Sequence, residues 1–327
     1  MKRRELLAFA TAATLPAVLP EMAQAQGAWP TMPIRLVVPF AAGGPTDIPA
    51  RLIADELSKM LPQRVVVENR TGAGVVVGSD AVAKAAKDGH TALYTTIAHA
   101  ALREIFPSLP FDPLKDFTPV ALTGVIPMLM MVNKDLPVNS LQELIDLFKK
   151  NPGKYDYAST GNGAALHLAS ELFLKQAGGL KVNHVPYRGS AAAMPDVLNG
   201  TIAMMLDVAN NAMPFVTRGE VKGLAISSME RLPQLPNIPT FNEAGVPGYE
   251  AYTWHMVFLP AGTPDAIVKQ LNESINKVMA MESVKERLSS LTMQTRSDST
   301  PESTAKFLND EIAKWTPIIR EAGITMN

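Results

Sequence analysis

Two glycine-rich turns carry the groups of this chain that are best suited to chemistry. Gly43 and Gly44 separate an apolar stretch at 34–38 from a helical pattern, and Gly161 and Gly163 separate 155–160 from a second one. Glycine allows sharp turns and lets the backbone approach a ligand closely. The first N–H groups of a helix have no partner within the helix and favour anions. The two turns therefore predict a site that captures an anion through backbone N–H groups.

The binding energy of such a site requires both turns. A charge-assisted hydrogen bond contributes roughly 1.5–3 kcal/mol, and a partly buried helix terminus up to about 2 kcal/mol. Micromolar affinity requires about 8 kcal/mol. Three or four donors from two turns suffice when closure of the site excludes water, whereas one turn alone does not.

Other kinds of chemistry find little support in the sequence. The chain has no cysteine, and it lacks a Walker loop and the G-x-S-x-G, H-E-x-x-H and EF-hand motifs, so we assign no catalytic residue. Asp47 and Asp207 are predicted to lie in different lobes and to form no catalytic pair. We expect neither a metal site nor a cofactor, because the spacing of the histidines is not that of metal ligands. These histidines are His90, His99, His167, His184 and His255.

Gly72, Gly74 and Gly78 raise one alternative, a nucleotide-dependent oxidoreductase. Their G-x-G-x-x-x-G spacing resembles a variant dinucleotide fingerprint. That fingerprint follows the first strand of a βαβ unit, and an acidic residue ends the next strand. Here the glycines follow the second predicted strand, and the strand at 91–96 ends without an acidic residue. The pattern therefore favours an ordinary βα turn.

Strand and helix patterns alternate along the chain, which indicates an α/β fold. A strand at 201–206 is predicted to bring Asp207 to its carboxyl end. Long apolar stretches at 120–133 and 252–260 are interpreted as strands that cross between two lobes. The proline-rich segment 232–239 is predicted to be neither helix nor strand. From Pro264 onward, the chain is predicted to be helical and to pack back onto the first lobe.

Residues 1–25 are interpreted as an export signal, which predicts that the mature chain is exported. A basic Lys-Arg-Arg at 2–4 precedes an apolar segment at 6–19, and Ala-Gln-Ala at 23–25 fits a cleavage site. The chain of 327 residues has 30 Lys and Arg against 31 Asp and Glu, a net charge of −1. Such a balance gives no indication of nucleic-acid binding.

Six ordered segments of the chain resemble the Bug proteins, the periplasmic substrate-binding components of tripartite tricarboxylate transporters. The longest are Pro-Phe-Ala-Ala-Gly-Gly-Pro-Thr-Asp at 39–47 and Val-Val-Glu-Asn-Arg-Thr-Gly-Ala-Gly at 66–74. The others lie at 109–113, 161–168, 184–189 and 239–245. The resemblance extends over essentially the whole mature chain, and the combination of segments is specific for the family although no single segment is.

The resemblance implies an α/β protein with the two-lobed, type II fold of periplasmic-binding proteins and two crossing hinge strands. We assign 26–123 and 253–327 to lobe 1 and 124–252 to lobe 2. The resemblance places the ligand between them, on Phe40, Ala42, Gly43, Gly44, Thr46, Asp47, Ser159, Thr160, Asn162, Gly163, His167 and Asp207. For Asp47 we expect a role in orienting water or capping its own helix, since a carboxylate would repel the ligand. At Ala164 the family often has Ser or Thr, so no hydroxyl contact is implied there.

The function implied by the resemblance is solute binding rather than catalysis. The protein would capture a small mono-, di- or aromatic carboxylate and hand it to membrane permease subunits, acting as a monomer. A periplasmic protein that presents the same ligand to a sensor stays open as an alternative, since both would bind the ligand through the same residues.

Overall fold

The computed structural model describes residues 29–325 as an α/β protein; the expected signal segment 1–25 and its cleavage site lie outside the described residues. The strands are β1 (Ile34–Val38), β2 (Val65–Asn69), β3 (Thr91–Thr96), β4 (Phe117–Asn133), β5 (Asp156–Ser159), β6 (Asn183–Pro186), β7 (Met204–Val208), β8 (Val221–Ile226), β9 (Tyr252–Pro260) and β10 (Gln294–Thr295). The helices are α1 (Asp47–Met60), α2 (Val76–Ala83), α3 (Ala98–Ile105), α4 (Leu141–Lys150), α5 (Ala165–Gln176), α6 (Ser190–Leu198), α7 (Ala209–Thr217), α8 (Asp265–Ala280), α9 (Glu282–Ser290) and α10 (Pro301–Glu321).

One half of the sheet has the strand order β2-β1-β3-β9-β4, and β10 also pairs with β4. β1 is parallel to β2 and β3, whereas the pairs β3–β9 and β9–β4 are antiparallel. The β-branched residues of β1 and β2 favour strands, and every residue of β3 is buried. Helices α1, α8 and α9 cover this half with Ile53, Leu271 and Leu288.

The other half has the order β4-β7-β5-β6, and β8 also pairs with β4. β5 is parallel to β6 and β7, whereas β4 is antiparallel to β7 and β8. Phe148 of α4, Phe173 of α5 and Val197 of α6 are buried in its core. Each half is therefore a sheet with its own helical cover, and β4 belongs to both.

The predicted crossing strands at 120–133 and 252–260 correspond to β4 and β9. β4 spans 17 residues. Its first part, as far as Pro127, pairs with β9, and from Met128 onward it pairs with β7 and β8. β9 begins at Tyr252, opposite Pro127. The exchange of partners between Pro127 and Met128 marks the level at which the two halves meet.

The strand register directs the carboxyl ends of both sets of parallel strands toward this level. Thr96 at the end of β3 pairs with His255, near the start of β9. Val208 at the end of β7 pairs with Met128. β1 runs parallel to β3, and β5 runs parallel to β7. The β1–α1 and β5–α5 turns therefore lie at the sheet edges nearest this level, and ligands of open α/β sheets bind outside such carboxyl ends.

Ser227 connects the two crossing segments at their meeting point. Its hydroxyl accepts the Met128 N–H at 2.7 Å and donates to the carbonyl of Ala251. The backbone N–H of Ser227 donates to the Met128 carbonyl at 2.8 Å, and the Ala251 N–H donates to the Ser227 carbonyl at 3.3 Å. Ser227 is fully buried, so water does not compete for these bonds.

Replacing Ser227 with alanine should destabilise the protein by about 1–3 kcal/mol, since the buried Met128 N–H loses the hydroxyl that accepts its hydrogen bond. Urea unfolding followed by circular dichroism measures the change. Ser290→Ala is the matched control, because the Ser290 hydroxyl is exposed and donates only to the nearby Arg287 carbonyl. That control should stay within about 0.5 kcal/mol of the parent protein. Equal losses in both variants would contradict the role of Ser227.

The last helix, α10, connects the two halves of the structure. It begins with a capping box between Thr300 and Ser303, with Pro301 at its first position. It packs against β4, against α3 in one half and against α5 in the other. Segment 232–239 forms neither helix nor strand, in agreement with its prolines. The two halves are thus joined by crossing strands in the sheet and by one helix packed on it.

Candidate functional site

The β1–α1 turn, residues 40–47, is held in shape by Asp47. Its Oδ2 accepts the Gly43 N–H and Arg51 Nε–H, each at 2.8 Å. Its Oδ1 accepts from Asn69 Nδ2 at 2.8 Å, and the same amide donates to the Phe40 carbonyl at 2.9 Å. Asp47 is buried, with both oxygens bonded to neighbouring protein groups. The carboxylate thereby ties the turn to α1 and to the end of β2.

The hydrogen bonds to Asp47 also set its charge. Burial raises the pKa of this carboxyl, but the bonds from Arg51, the Gly43 N–H and Asn69 outweigh burial, so the pKa lies below its ordinary 3.8. Asp47 is therefore ionised at neutral pH. The backbone N–H that Asp47 accepts is that of Gly43 within the turn, so the expected cap on its own helix is not formed, and the expected role in orienting water stays a prediction.

The first turn contains several backbone N–H groups that make no hydrogen bond to the described residues. Within residues 29–325, the N–H groups of Ala41, Ala42 and Gly44 have no protein acceptor. Ala41 and Ala42 are exposed. Gly43 adopts a φ of +77°, which an L side chain rarely adopts, so the turn depends on glycine there. Thr46 is buried at the helix N-terminus, but its side chain accepts no capping hydrogen bond.

The β5–α5 turn is anchored by Ser159. Its hydroxyl lies 2.6 Å from Nε2 of His184 and accepts the Gly161 N–H at 3.1 Å. The Ser159 carbonyl accepts the N–H of Tyr187 at 3.0 Å. The buried serine thus joins the ends of β5 and β6 and fixes where the second turn begins.

His167 closes the same turn from the helix side. Its Nδ1 accepts the Gly163 N–H at 3.0 Å, so the proton of the ring is on Nε2, which lies 3.9 Å from Oε1 of Glu171. Burial and then the neighbouring His184, stacked with a centroid distance of 3.8 Å, lower the pKa of His167 to about 3. Burial also lowers the pKa of His184. His167 is therefore a neutral acceptor that positions the turn.

The second turn also presents free donors and contacts the opposite half of the structure. The N–H groups of Thr160 and Asn162 have no acceptor among the described residues. Helix α5 starts after Ala164, which supplies no side-chain cap, in agreement with the sequence. Gly163 has a φ of +69°, and a Cβ there would lie 2.3 Å from Cδ1 of Ile105 in α3. The positive φ favours glycine here, and any larger residue would also have to displace the Ile105 side chain.

Asp207 lies within β7, one residue before its end, and is fully buried. Its Oδ1 accepts the Ser190 hydroxyl at 2.8 Å and the Val208 N–H at 2.7 Å. Burial raises the pKa of Asp207 to about 7, against the lowering influence of Ser190, Val208 and Asn211. Ser190 is the first residue of α6, so Asp207 is held at the edge of the sheet where the helices begin.

The structure thus gathers the sequence-predicted residues into two groups, one at the carboxyl edge of each half-sheet. Four positioning residues were absent from the predicted set: Arg51, Asn69, His184 and Ser190. Arg51 follows Asp47 by four residues, a helical spacing that favours an ion pair and was available as a signal. No local pattern joins His184 to Ser159, which is 25 residues away.

Other kinds of site are not evident in the part of the chain that the structure describes. Residues 29–325 contain no group of three or more His, Asp or Glu side chains that could hold a metal ion. None of the helices described in this range is long and apolar enough to span a bilayer. Cavities of about 690 Å³, at Tyr252 and segment 228–234, and of about 780 Å³, beside α1, lie away from both turns.

Replacing Asp47 with asparagine should weaken ligand binding by about tenfold and leave the fold intact. The asparagine amide has one acceptor oxygen, so it can keep only part of the hydrogen bonds that Asp47 accepts from Gly43, Arg51 and Asn69. Loss of a charge-assisted hydrogen bond costs roughly 1.5 kcal/mol or more. Calorimetry measures the affinity, and circular dichroism checks the fold. Asp55→Asn, about two helical turns further along α1 on an exposed face, removes the same charge and should leave binding unchanged. Tighter anion binding by Asp47→Asn would show instead that the charge is simply repulsive.

The sequence and the fold both match known proteins. Protein BugT of Bordetella pertussis is 37% identical over 297 residues, which are 90% of this chain and 90% of BugT. A protein of R. palustris solved with adipate is 35% identical, with a TM-score of 0.81 over 91% of this chain and 100% of that one. MatC from Rhodopseudomonas palustris, solved with bound malate, is 34% identical, with a TM-score of 0.77 over 89% and 100%. The periplasmic binding protein BugD is 33% identical, with a TM-score of 0.78 over 91% and 100%.

These similarities confirm the two-lobed periplasmic-binding fold expected from the sequence. The sequence model described as "Tripartite tricarboxylate transporter family receptor" (TctC) matches residues 49–324. This family comprises receptors that bind solutes and is not a class of enzymes. The chain belongs to the tripartite tricarboxylate transporter receptor (TctC) family.

Proposed function

We propose that this protein captures a small organic carboxylate in the cleft between its lobes and delivers it to a membrane permease of the tripartite tricarboxylate type. One observation carries the proposal. Two glycine turns at facing carboxyl edges present N–H groups without a protein acceptor in residues 29–325, and each turn is tied down by a buried side chain. Asp47 ties down the first turn, and His167 ties down the second.

The ligand class follows from the donors. Backbone N–H groups recognise a negatively charged oxygen, and a carboxylate offers two such oxygens to several donors at once. Adipate and malate, present in two of the related structures, are both dicarboxylates. A ligand of this kind can place one carboxylate on each turn. A mono- or aromatic carboxylate would accept hydrogen bonds directly from one turn and would reach the other turn through water molecules.

The twelve candidate residues take three roles in this proposal. Ala42, Gly44, Thr160 and Asn162 offer free backbone N–H groups to the ligand. A second set shapes or ties down the turns: Phe40, Gly43, Thr46, Asp47, Ser159, Gly163 and His167. Asp207 lies behind the second turn.

Closure of the two lobes completes the site. We assign 26–123 and 253–327 to lobe 1 and 124–252 to lobe 2, with the division near the level at which β4 exchanges partners. Neither turn alone supplies the roughly 8 kcal/mol that micromolar affinity requires. One chain contains both turns, so a monomer suffices for binding. Membership of a transporter-receptor family supports a periplasmic location and a permease partner.

Thermal unfolding in the presence of adipate, malate and benzoate tests the proposal. A ligand present at 100 times its dissociation constant should add about 2.7 kcal/mol of stability. Ala42→Trp and Asn162→Trp place a large side chain at an exposed position of each turn, and each variant should abolish the ligand-induced shift. Met229→Trp is the matched control, because Met229 is 57% exposed in another loop.

The result that supports the proposal is a carboxylate-dependent shift in the parent protein and in Met229→Trp, lost in both turn variants. A shift that survives in one turn variant would place the site within a single lobe. If no carboxylate shifts the melting temperature but a chelator lowers it, the protein is a metal-dependent one and the proposal is wrong.

A further inference from the structure

Asp207 has an arrangement that the fold alone does not require. It is 0% exposed, and both of its hydrogen bonds, from Ser190 and from the Val208 N–H, reach the same oxygen, Oδ1. Oδ2 is buried and has no hydrogen-bond partner in residues 29–325. The amide of Asn211 lies close enough to lower the pKa of the carboxyl, but no hydrogen bond joins it to Oδ2. A buried ionised carboxylate normally has donors on both oxygens.

The surroundings of Asp207 provide no cation to compensate a negative charge. Strand β4 and helix α7, which pack against β7, contain no titratable side chain. The other elements packed on β7 contribute Asp156 and Tyr157 on β5, His167, Glu171 and Lys175 on α5, and Asp196 on α6. These groups bond elsewhere, to Asn183, Gly163, Glu321 and Tyr187 or to one another. None of them forms a hydrogen bond or ion pair with Asp207 in the described structure.

The hydrogen bond from Ser190 shows where this carboxyl lies. Ser190 begins α6, just after β6, and β5 lies between β6 and β7 in the sheet. The bond from Ser190 to Asp207 therefore crosses the carboxyl end of β5. The second glycine turn, residues 159–163, starts at that end. A ligand carboxylate bound to this turn would bring a negative charge close to Asp207.

We propose that Asp207 carries a proton on Oδ2 whenever a carboxylate occupies the cleft, so that capture of the ligand takes up a proton from solvent. This inference rests on the proposed function and adds to it the proton balance of binding. The proton moves from water or buffer to Oδ2, and no bond of the ligand is formed or broken. Protonation changes Oδ2 from an acceptor that lacks a donor into a hydroxyl that can donate. This hydroxyl favours a nearby anion, either directly or through one water molecule.

The protonation of Asp207 in the folded, unliganded protein sets how ligand affinity depends on pH. The pKa of Asp207 is raised to about 7 without ligand, and a nearby anion raises it further. Below pH 7 the proton is already present, so binding takes up little. Above pH 7 the proton must be acquired, and affinity should fall about tenfold per pH unit. Burial lowers the pKa of both His167 and His184, so neither side chain accounts for a loss of affinity above pH 7.

Calorimetry with adipate and malate as probes, in buffers of different ionisation enthalpy, measures the proton uptake. Uptake should approach one proton per ligand at about pH 8.5 and decline toward zero at about pH 6. Asp207→Asn cannot titrate, so its affinity, whatever its level, should not change over this range. Asp47→Asn should keep the steep dependence of the parent protein despite weaker binding, because Asp47 is already ionised at neutral pH.

Infrared spectroscopy of the unliganded protein tests the protonation without any ligand. At about pH 6, the difference spectrum between the parent protein and Asp207→Asn should contain the band of one protonated carboxyl. An ionised Asp207 at this pH would overturn the inference. So would a probe that binds equally at both pH values without proton uptake, although carboxylate capture would then stand. If neither probe nor any other carboxylate binds, the proposed function fails, and the infrared measurement still decides the state of Asp207.

Discussion

Replacing Glu311 with alanine should destabilise the protein by about 2–6 kcal/mol, since two buried indole N–H groups would lose their acceptor at about 1–3 kcal/mol each. Oε2 of Glu311 accepts Nε1–H of Trp254 at 2.9 Å and of Trp315 at 2.8 Å. Trp254 lies on β9, and Trp315 lies on α10, the helix that carries Glu311 itself. One carboxylate therefore fastens the last helix to a crossing strand.

Because Glu311 is buried, a variant with glutamine at this position separates the loss of the charge from the loss of the acceptor oxygen. Burial raises the pKa of this carboxyl, while Lys314 and the two indoles lower it. Glu311→Gln keeps an acceptor oxygen and removes the buried charge, so its loss should be much smaller than that of Glu311→Ala. Lys306→Ala breaks only an exposed ion pair with Asp310 on the same helix and should cost at most about 1 kcal/mol.

Urea unfolding with tryptophan fluorescence measures these differences, because both indoles report directly. We expect the order Lys306→Ala, Glu311→Gln, Glu311→Ala from smallest to largest loss. A Glu311→Ala variant as stable as Lys306→Ala would mean that water satisfies the indoles, and that Glu311 does not fasten the crossing strand.

Replacing Asp207 with asparagine should stabilise the unliganded protein at pH 8 and destabilise it modestly at pH 4. In the unfolded chain this carboxyl ionises near 3.8, and in the folded protein near 7. Between these values the folded state binds one proton more than the unfolded state, so stability falls as pH rises through this window and is constant beyond it. The shift corresponds to a penalty of about 4 kcal/mol above pH 7.

Asparagine keeps the oxygen that Ser190 and Val208 use and removes the titration. Its own buried NH₂ would lack an acceptor at the position of Oδ2, at a cost of about 1–3 kcal/mol. The net gain at pH 8 should therefore be about 1–3 kcal/mol. At pH 4 little of the titration penalty remains, so the cost of the buried NH₂ should leave the variant about 1–2 kcal/mol less stable than the parent protein. Thermal unfolding at both pH values measures the difference. A difference between the two proteins that does not change with pH would show that Asp207 has an ordinary pKa.

The two predictions concern two buried carboxyl groups that differ in how well their oxygens are hydrogen-bonded. Glu311 is a buried acid whose Oε2 accepts two donors and which lies 3.8 Å from Lys314, so its retention contributes to the structure. Asp207 is a buried acid with one oxygen unpartnered in the described residues, so its retention costs stability. Groups that reduce stability and lie at the edge of a binding cleft are candidates for function. The contrast is the physical reason to examine Asp207 in ligand capture.

The amino-acid sequence by itself determined the α/β class, the two glycine turns and the two crossing strands. These features depend on local chemistry: β-branched runs at 34–38 and 65–67 favour strands, and glycine is needed where φ is positive, as at Gly43 and Gly163. The order of the matching segments also sufficed to recognise the family, which the match over residues 49–324 confirmed. The choice of individual ligand-binding residues stays a prediction.

Only the tertiary structure decided which side chains hold the turns. Ser159 and His184 are 25 residues apart, and Trp254 and Glu311 are 57 apart, so no periodicity in the sequence relates them. The state of Asp207 was equally hidden, because its pKa depends on burial and on how donors divide between two oxygens. Sequence patterns record the preferences of neighbouring residues, whereas burial and hydrogen bonding between distant residues arise only when the strands are placed in order.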